Sequence, residues 1–172
     1  MTSPGGISLS SLSAADEADI LAAFSSPLFA SMFQGFRHNE LVLLSRAVSL
    51  ITFDPEEWVI KSGERGRWFG WILGGSVMVS YKRQPPKTLY PPCIFGEMAY
   101  FSQDGKRTAD VMASPVPPPS LPADTPRSDA AESPGSAWSL PGTADSGGGA
   151  IVAVLRYRDL AALCTAAPEL AL

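Results

Sequence analysis

Hydrophobic positions near the start of the chain recur at the spacing of helix faces. One apolar stripe follows a run typical of a helix N-terminus, Ser13 to Asp16, and consists of Ile20, Leu21 and Phe24. A second apolar group comes after Pro27 with helical spacing: Leu28, Phe29, Met32 and Phe33. A third helix is predicted to begin at a cap on Asn39, and its apolar residues are Leu41, Leu43, Leu44, Val48 and Leu50. The N-terminal part therefore predicts three short helices.

Beyond residue 50 the pattern changes to short β-prone runs with turn residues between them. The runs occupy residues 51–53, 58–60, 69–73, 77–79, 108–113 and 151–155. Turn residues such as Asp54-Pro55 and Gly74-Gly75 separate them. A final helix is predicted from Arg158 to Ala166, ended by Pro168. Helices, then many short strands, then a helix indicate a mainly β domain, built as a barrel or a sandwich.

A proline-, serine- and glycine-rich segment interrupts the strands at residues 114–149. It holds half of the chain's 16 prolines and has almost no apolar periodicity. Such a composition cannot bury enough surface to offset the cost of ordering the backbone, so we expect disorder here. We place the segment at the tip of a hairpin between the last two strands. The expected organisation is a leader at 1–27, one domain at 28–113 and 150–172, and this insertion.

Charge and apolar run length restrict the classes of partner. The 172 residues include 13 basic and 17 acidic side chains, which give a net charge of −4 and a sequence pI near 4.9. Proteins that bind nucleic acid normally show a basic excess, so nucleic acid is not expected as a partner. No apolar run reaches the roughly 18 residues of a spanning helix, and the N-terminus lacks the features of a secretory signal. We therefore expect no membrane segment in this chain.

The few chemically reactive residues argue against an enzyme. The chain has one histidine, His38, and two cysteines, Cys93 and Cys164. These residues cannot supply an ordinary zinc site, a multi-histidine metal site or a nucleophile–histidine pair. Two cysteines also form no disulfide framework, which favours a reducing, cytoplasmic compartment. We expect neither catalysis nor a bound metal.

One segment has the composition of a ligand site: Phe95-Gly96-Glu97-Met98-Ala99, followed after a short loop by Arg107-Thr108-Ala109. Gly96 lets the backbone approach a ligand closely, and the amides of Met98 and Ala99 would open a short helical turn that suits an anion. Arg107 could add a bidentate contact to a phosphate. Glu97 would accept hydrogen bonds from hydroxyl groups but would repel a bare phosphate. A ligand that carries both a phosphate and a sugar hydroxyl fits all of these features.

The two motifs at this spacing resemble the phosphate-binding cassette of cyclic nucleotide-binding domains. The similarity extends over roughly residues 28–170. Residues 53–55 and the run Trp58-Val59-Ile60-Lys61-Ser62-Gly63-Glu64 are similar to the first strands and the glycine turn of that family. The run Trp71-Ile72-Leu73-Gly74-Gly75-Ser76-Val77 is similar to the strand whose glycine precedes a second turn. Residues 152–160 are similar to the last strand and the start of the B helix.

The resemblance implies a fold, a ligand and a role for each site residue. The implied fold is an eight-stranded jelly-roll-like β-barrel with N-terminal helices, a C-terminal B helix and a truncated C helix. The ligand would be cAMP or cGMP, with no cofactor. Glu97 would accept a hydrogen bond from the ribose 2′-hydroxyl, and Arg107 would pair with the cyclic phosphate. The amides of Met98 and Ala99 would contact phosphate or ribose, and Thr108 would lie beside the phosphate near the base. Gly96 and Ala109 complete the expected site.

Two functions remain open from the sequence. The first is a cyclic nucleotide-sensing regulatory module that acts on a protein effector such as a kinase, a channel or a scaffold. The second is a degenerate, non-binding barrel that serves as a protein-interaction or scaffold domain. Two features favour the non-binding function. The sequence departs from the family at three turns, and only a short segment, 168–172, is left to begin the C helix. The three turns are those at Pro92-Cys93, Asp54-Pro55-Glu56-Glu57 and Gly70. The alternative to a ligand contact for Arg107 is a surface salt bridge with Glu97 or Asp104.

Overall fold

Four helices and eight strands are present in the computed structural model, which describes residues 14–115 and 148–166. The helices are α1 (Ala14–Phe24), α2 (His38–Ala47), α3 (Met98–Phe101) and α4 (Tyr157–Ala166). The first four strands are β1 (Ser49–Phe53), β2 (Trp58–Ile60), β3 (Trp68–Gly75) and β4 (Val77–Tyr81). The other four are β5 (Lys87–Leu89), β6 (Cys93–Phe95), β7 (Ala109–Ala113) and β8 (Ala150–Arg156).

The strands form two antiparallel sheets of four. One sheet has the order β1-β8-β3-β6 and the other has the order β2-β7-β4-β5. The predicted class, a mainly β domain of eight strands with flanking helices, is confirmed. The sheets are not closed into a barrel, because the hydrogen-bonded ladders between described residues stay within the two separate sheets.

The central strands of the first sheet are buried on both faces. Phe69, Trp71 and Leu73 of β3 pack against the helices, while Ile72 between them packs against the second sheet. Strand β8 alternates in the same way, with Ala153 and Leu155 on the helix side and Val152 and Val154 on the other. Successive side chains of a strand point to opposite faces, so these two strands join a helix–sheet core to a sheet–sheet core.

Two of the predicted N-terminal helices differ from the observed elements. The segment after Pro27 is a run of turns in which amides bond three residues back, as Met32 does to the carbonyl of Phe29 (3.0 Å). Phe29 and Phe33 are buried as expected, but Leu28 is 44% exposed. The segment lies between a proline and Gly35, whose φ is +96°, and it is too short to complete a helix nucleus.

The helix predicted from Asn39 to Leu50 begins earlier and ends earlier. Its N-cap is Arg37, whose amide donates to the carboxylate of Glu40 (2.7 Å), so Asn39 lies inside the first turn. It ends at Ala47, and Leu50 belongs to β1. The ladder between β1 and β8 begins at Ser49, and this pairing overrides the helical spacing of the last apolar residues. The expected helix 158–166 is confirmed as α4, which begins one residue earlier.

The chain leaves and re-enters the sheets at one junction, where the insertion at 114–149 begins and ends. The Ser114 amide donates to the Ser76 carbonyl (2.9 Å), the Gly149 amide to the Ser114 carbonyl (2.8 Å), and the Ser76 amide to the Gly149 carbonyl (3.1 Å). The expected hairpin is wrong, because β7 and β8 lie in different sheets. The predicted disorder of the insertion, the predicted cap at Ser13 and the helix end at Pro168 lie outside the described residues.

Removal of residues 116–147 is expected to leave the fold intact, because the two ends of this segment already meet. A Cβ atom placed on Gly148 would lie 2.7 Å from the Pro115 carbonyl oxygen, so these two residues are in contact. A linker of two glycines is therefore long enough to join Pro115 to Gly148. The shorter loop costs less closure entropy, and we expect the free energy of unfolding to stay equal or to rise by about 1–2 kcal/mol. Urea denaturation of the full chain and of the deletion variant measures this difference. A clear loss of stability in the deletion variant would show that the insertion contributes to the fold.

Candidate functional site

An open cleft of about 440 Å³ lies between the loop that carries α3 and the inner face of the second sheet. All seven residues predicted for the site line it: Gly96, Glu97, Met98, Ala99, Arg107, Thr108 and Ala109. The rest of the wall is largely apolar and includes Ile60, Val79, Leu89 and Val111. The structure thus brings the two sequence motifs together around one space.

The turn at Gly96 requires a residue without a side chain. Its φ is +84°, in the left-handed region that favours glycine. A Cβ atom added there would lie 2.7 Å from Nη1 of Arg107. The loop behind Arg107 is packed as closely, because a Cβ atom added to Gly66 would lie 2.4 Å from the Cβ atom of Ala99. These two close approaches fix the positions of α3 and Arg107 relative to each other.

The guanidinium of Arg107 is buried and is held by neutral oxygen atoms. Nη1 donates to the carbonyl of Gly96 (2.6 Å) and Nη2 donates to the carbonyl of Trp68 (2.7 Å). Its Cζ atom lies 4.8 Å from the centre of the Trp68 ring, which adds a cation–π contact. Only 6% of the residue is exposed, and this burial lowers the pKa of Arg107. An arginine keeps its proton nonetheless, so the cleft wall carries a buried positive charge.

No carboxylate forms an ion pair with Arg107 among the residues that the structure describes. The alternative for Arg107, a surface salt bridge with Glu97 or Asp104, is therefore wrong. Asp104 accepts hydrogen bonds from the Ser102 hydroxyl (3.2 Å) and the Lys106 amide (3.1 Å) instead, and the bond from Lys106 lowers its pKa. The charges of Glu64 and Glu97 act on Arg107 from beyond ion-pair distance and raise its pKa, against the larger effect of burial. A buried cation without a direct ion pair is a favourable partner for an anion.

Glu97 contributes an unpartnered acceptor to the same cleft. Its Oε2 atom is buried and has no hydrogen-bond donor within the described part of the chain. A buried carboxylate oxygen without a donor costs free energy, which a ligand hydroxyl could recover. In α3, the first hydrogen bonds run from the Tyr100 amide to the Glu97 carbonyl and from the Ser102 amide to the Met98 carbonyl. The amides of Met98 and Ala99 precede these bonds, as expected at the start of a helical turn.

Two aromatic residues that the sequence did not assign to the site complete the surroundings of Arg107. Trp68 supplies its carbonyl and the face of its ring. The hydroxyl of Tyr157 donates to the Gly96 carbonyl (2.8 Å) and accepts from Nη1 of Arg107 (3.4 Å). Burial raises the pKa of Tyr157. Tyr157 follows Arg107 by 50 residues, and no local spacing in the sequence signals this contact.

The described residues show neither a metal site nor a spanning helix. They contain no group of three or more His, Cys, Asp or Glu side chains that could hold a metal ion. Among the helices of residues 14–115 and 148–166, none has the length and apolarity needed to cross a bilayer. Cys93 and Cys164 are both free thiols.

Comparison with known proteins gives matches in structure but not in sequence. No family model matches the chain, and no curated protein matches its sequence. The regulatory domain of Toxoplasma gondii PKA with cAMP matches with a TM-score of 0.57 and 17% identity, over 91% of this chain and 48% of that one. A structure described as Sp-2Cl-cAMPS bound to PKAR CBD2 matches with a TM-score of 0.57 and 15% identity, over 87% of this chain and 80% of that one.

A third structural match differs in its ligand. The regulatory subunit of a cAMP-independent protein kinase A from Trypanosoma cruzi, bound to guanosine, has a TM-score of 0.55 and 19% identity, with coverage of 87% of this chain and 42% of that one. The chain spans about half the length of the T. gondii protein and less than half of the T. cruzi protein. The chain has two four-stranded sheets with flanking helices, and these are matched by the structures above. It therefore has the cyclic nucleotide-binding domain fold.

Proposed function

We propose that the chain binds a cyclic nucleotide, cAMP or cGMP, in the cleft and acts as a regulatory module without catalysing a reaction. The observation that carries this proposal is the buried guanidinium of Arg107, which has no carboxylate partner in the described residues, beside the unpartnered oxygen of Glu97. A cyclic phosphate supplies one negative charge, and the ribose supplies a hydroxyl donor within the same small molecule. The three-dimensional match to proteins described as cAMP-bound supports the same ligand class.

The proposal assigns a role to each residue of the cleft. Arg107 would pair with the cyclic phosphate, and the amides of Met98 and Ala99 would donate to phosphate or ribose. Glu97 would accept from the 2′-hydroxyl. Thr108 is exposed at the mouth of the cleft, where it would lie between phosphate and base. Gly96 and Ala109 would leave room for the ligand.

A regulatory output requires a protein effector, such as a kinase, a channel or a scaffold. The short helix α3 presents a surface for such a partner, because Met98, Tyr100 and Phe101 are 52%, 47% and 76% exposed. Exposed apolar side chains in one cluster are typical of interaction sites. The same observation favours the second candidate function, a protein-interaction domain that binds no nucleotide. A reducing, cytoplasmic compartment is part of both proposals.

Thermal unfolding with added nucleotides distinguishes the two candidates. Ligand present at about 100 times its Kd stabilises the folded state by roughly 2.7 kcal/mol, so millimolar cAMP or cGMP is expected to raise the Tm. Adenosine and guanosine serve as matched compounds without phosphate, and they are expected to give a smaller shift. If neither cyclic nucleotide raises the Tm, the sensing function is wrong. A shift of equal size from the nucleosides would contradict the role of Arg107 as the phosphate partner.

A further inference from the structure

The carbonyl of Gly96 accepts two hydrogen bonds at the centre of the cleft wall. One comes from Nη1 of Arg107 (2.6 Å) and the other from the hydroxyl of Tyr157 (2.8 Å). The same Nη1 also donates to the Tyr157 hydroxyl (3.4 Å). Arg107, Gly96 and Tyr157 therefore form a closed set of three mutually bonded groups. In this arrangement Nη1 is engaged by protein oxygens rather than free for a ligand.

A phosphate in the cleft has to compete for donors that Arg107 already uses. Nη2 is held by the Trp68 carbonyl (2.7 Å), and a Cβ atom on Gly66 would lie 3.2 Å from Nε, so that side of the guanidinium is closely packed. Nη2 keeps one further N–H, so a bidentate contact to a phosphate has to use Nη1 as well. For this contact Nη1 turns from the Gly96 carbonyl towards the phosphate. Without a second donor this move would leave a carbonyl unpaired, at a cost that opposes binding. The hydroxyl of Tyr157 supplies that second donor.

We propose that Tyr157 makes Arg107 available to a phosphate and thereby sets the preference of the cleft for cyclic nucleotides over nucleosides. Tyr157 is a positioning residue in this role, since it acts through Gly96 and Arg107 and need not touch the ligand. The inference rests on the proposed function. It adds a specificity-determining residue that lies on α4, outside the two motifs recognised in the sequence.

The backbone and ring of Tyr157 are held independently of Arg107. The Tyr157 amide donates to the Arg67 carbonyl (2.9 Å) at the start of α4. Its ring stacks on Phe69 with centroids 6.2 Å apart, and meets the edge of Tyr100 at 5.0 Å. These contacts keep the hydroxyl beside Gly96 when Arg107 changes partners. They also mean that replacement by phenylalanine retains the ring packing and removes only the hydroxyl.

The test compares the Tyr157→Phe variant with the wild-type chain, by calorimetric titration with cAMP, cGMP, adenosine and guanosine. An unpaired buried carbonyl in the bound state predicts that cyclic nucleotides bind about 5- to 150-fold more weakly to the variant. The affinity for nucleosides is expected to stay unchanged, because they do not draw on Arg107. Tyr100→Phe is the matched control, since its ring contacts Tyr157 while its hydroxyl takes no part in the bonds to Gly96 and Arg107. This control is expected to keep the wild-type preference.

A spectroscopic measurement on the wild-type chain tests the same idea without a variant. The chain has four tyrosines, so labelling with ¹³Cζ-tyrosine gives four resonances in the nuclear magnetic resonance spectrum. The Tyr157 resonance is expected to move on addition of cyclic nucleotide and to stay in place with nucleoside. It can be assigned by elimination from phenylalanine variants of the other three tyrosines if Tyr157→Phe does not fold.

The possible results separate the inference from the proposed function. A Tyr157→Phe variant that keeps the wild-type preference for cyclic nucleotides overturns the inference alone. So does a Tyr157 resonance that responds equally to nucleotide and nucleoside. A wild-type chain that binds no cyclic nucleotide overturns the proposed function and the inference together.

Discussion

The Arg107→Ala variant is expected to bind cyclic nucleotide with an affinity lower by about 1.5–3 kcal/mol, or roughly 10- to 150-fold. The loss corresponds to a charge-assisted hydrogen bond to the phosphate. The guanidinium also supports the ligand-free fold, because Nη2 is the donor to the Trp68 carbonyl. Removing it leaves that oxygen unpaired, and the free energy of unfolding is expected to fall by about 1–3 kcal/mol. Calorimetric titration at a temperature where the variant is folded measures the first effect, and urea denaturation measures the second.

Arg65→Ala is the matched control for the loss of a positive charge near the cleft. Arg65 is exposed and pairs by its backbone with Lys106, next to Arg107 in the chain. Its side chain makes none of the hydrogen bonds that hold the cleft wall, so stability is expected to change by no more than about 0.5 kcal/mol. Affinity for nucleotide should change little. Equal affinity in Arg107→Ala and wild type would mean that the phosphate binds elsewhere.

The Phe24→Ala variant is expected to lose about 3–5 kcal/mol of the free energy of unfolding, the usual cost of truncating a buried phenylalanine. Phe24 is 1% exposed at the end of α1. Its ring meets three others, with centroids 6.0 Å from Phe29, 4.8 Å from Phe33 and 5.4 Å from Trp71. Trp71 belongs to the central strand β3, so Phe24 links the N-terminal segment to the first sheet. Urea denaturation followed by circular dichroism gives the difference.

Leu28→Ala provides the comparison for Phe24→Ala within the same segment. Leu28 is 44% exposed, and its truncation is expected to cost less than about 1 kcal/mol. A similar small loss in Phe24→Ala would contradict the described packing of α1 on the sheet. It would indicate that the N-terminal segment and the sheets unfold independently.

The pattern of apolar and β-prone residues located six of the eight observed strands and missed two of the three shortest, β5 and β6. Each of the six predicted β-prone runs overlaps an observed strand, because long buried runs such as 69–73 leave a clear signal. Strands β5 and β6 have three residues each, which is too few to show an alternating pattern. Strand β2 is as short, but its continuous β-prone run, Trp58-Val59-Ile60, revealed it. Strands β7 and β8 belong to different sheets, and this arrangement depends on contacts between residues far apart in the sequence. The local pattern therefore suggested a hairpin between them.

A departure from the family at one turn has a visible backbone consequence. The first strand-turn of the family usually contains a glycine, and here the turn is Asp54-Pro55-Glu56-Glu57. Glu56 adopts φ = +65°, a conformation that favours glycine over residues with a side chain. The turn is secured by bonds from the Glu56 amide to the Ala113 carbonyl (3.0 Å) and from the Asp54 amide to the Glu57 carboxylate (2.9 Å). These bonds hold Glu56 in the left-handed region although it carries a side chain.

The candidate site was predictable where its residues are close in sequence. Gly96 to Ala99 and Arg107 to Ala109 are separated by a short loop, and the sequence predicted that they form one site. Both segments line the same cleft. The partners of Arg107 were not predictable in the same way. The Trp68 carbonyl and the Tyr157 hydroxyl come from elements 39 and 50 residues away, and their approach depends on how the two sheets pack. Burial of the guanidinium is likewise a property of the assembled fold.

The junction formed by Ser76, Ser114 and Gly149 gives this chain a natural site for grafting. A foreign domain whose own ends lie close together fits between Pro115 and Gly148 without stretching either sheet. Strand β7 runs from the cleft at Ala109 to this junction, so the graft would lie at the end of the strand that is farther from the cleft. A fluorescent reporter domain inserted there would be attached to both sheets and would leave the cleft open.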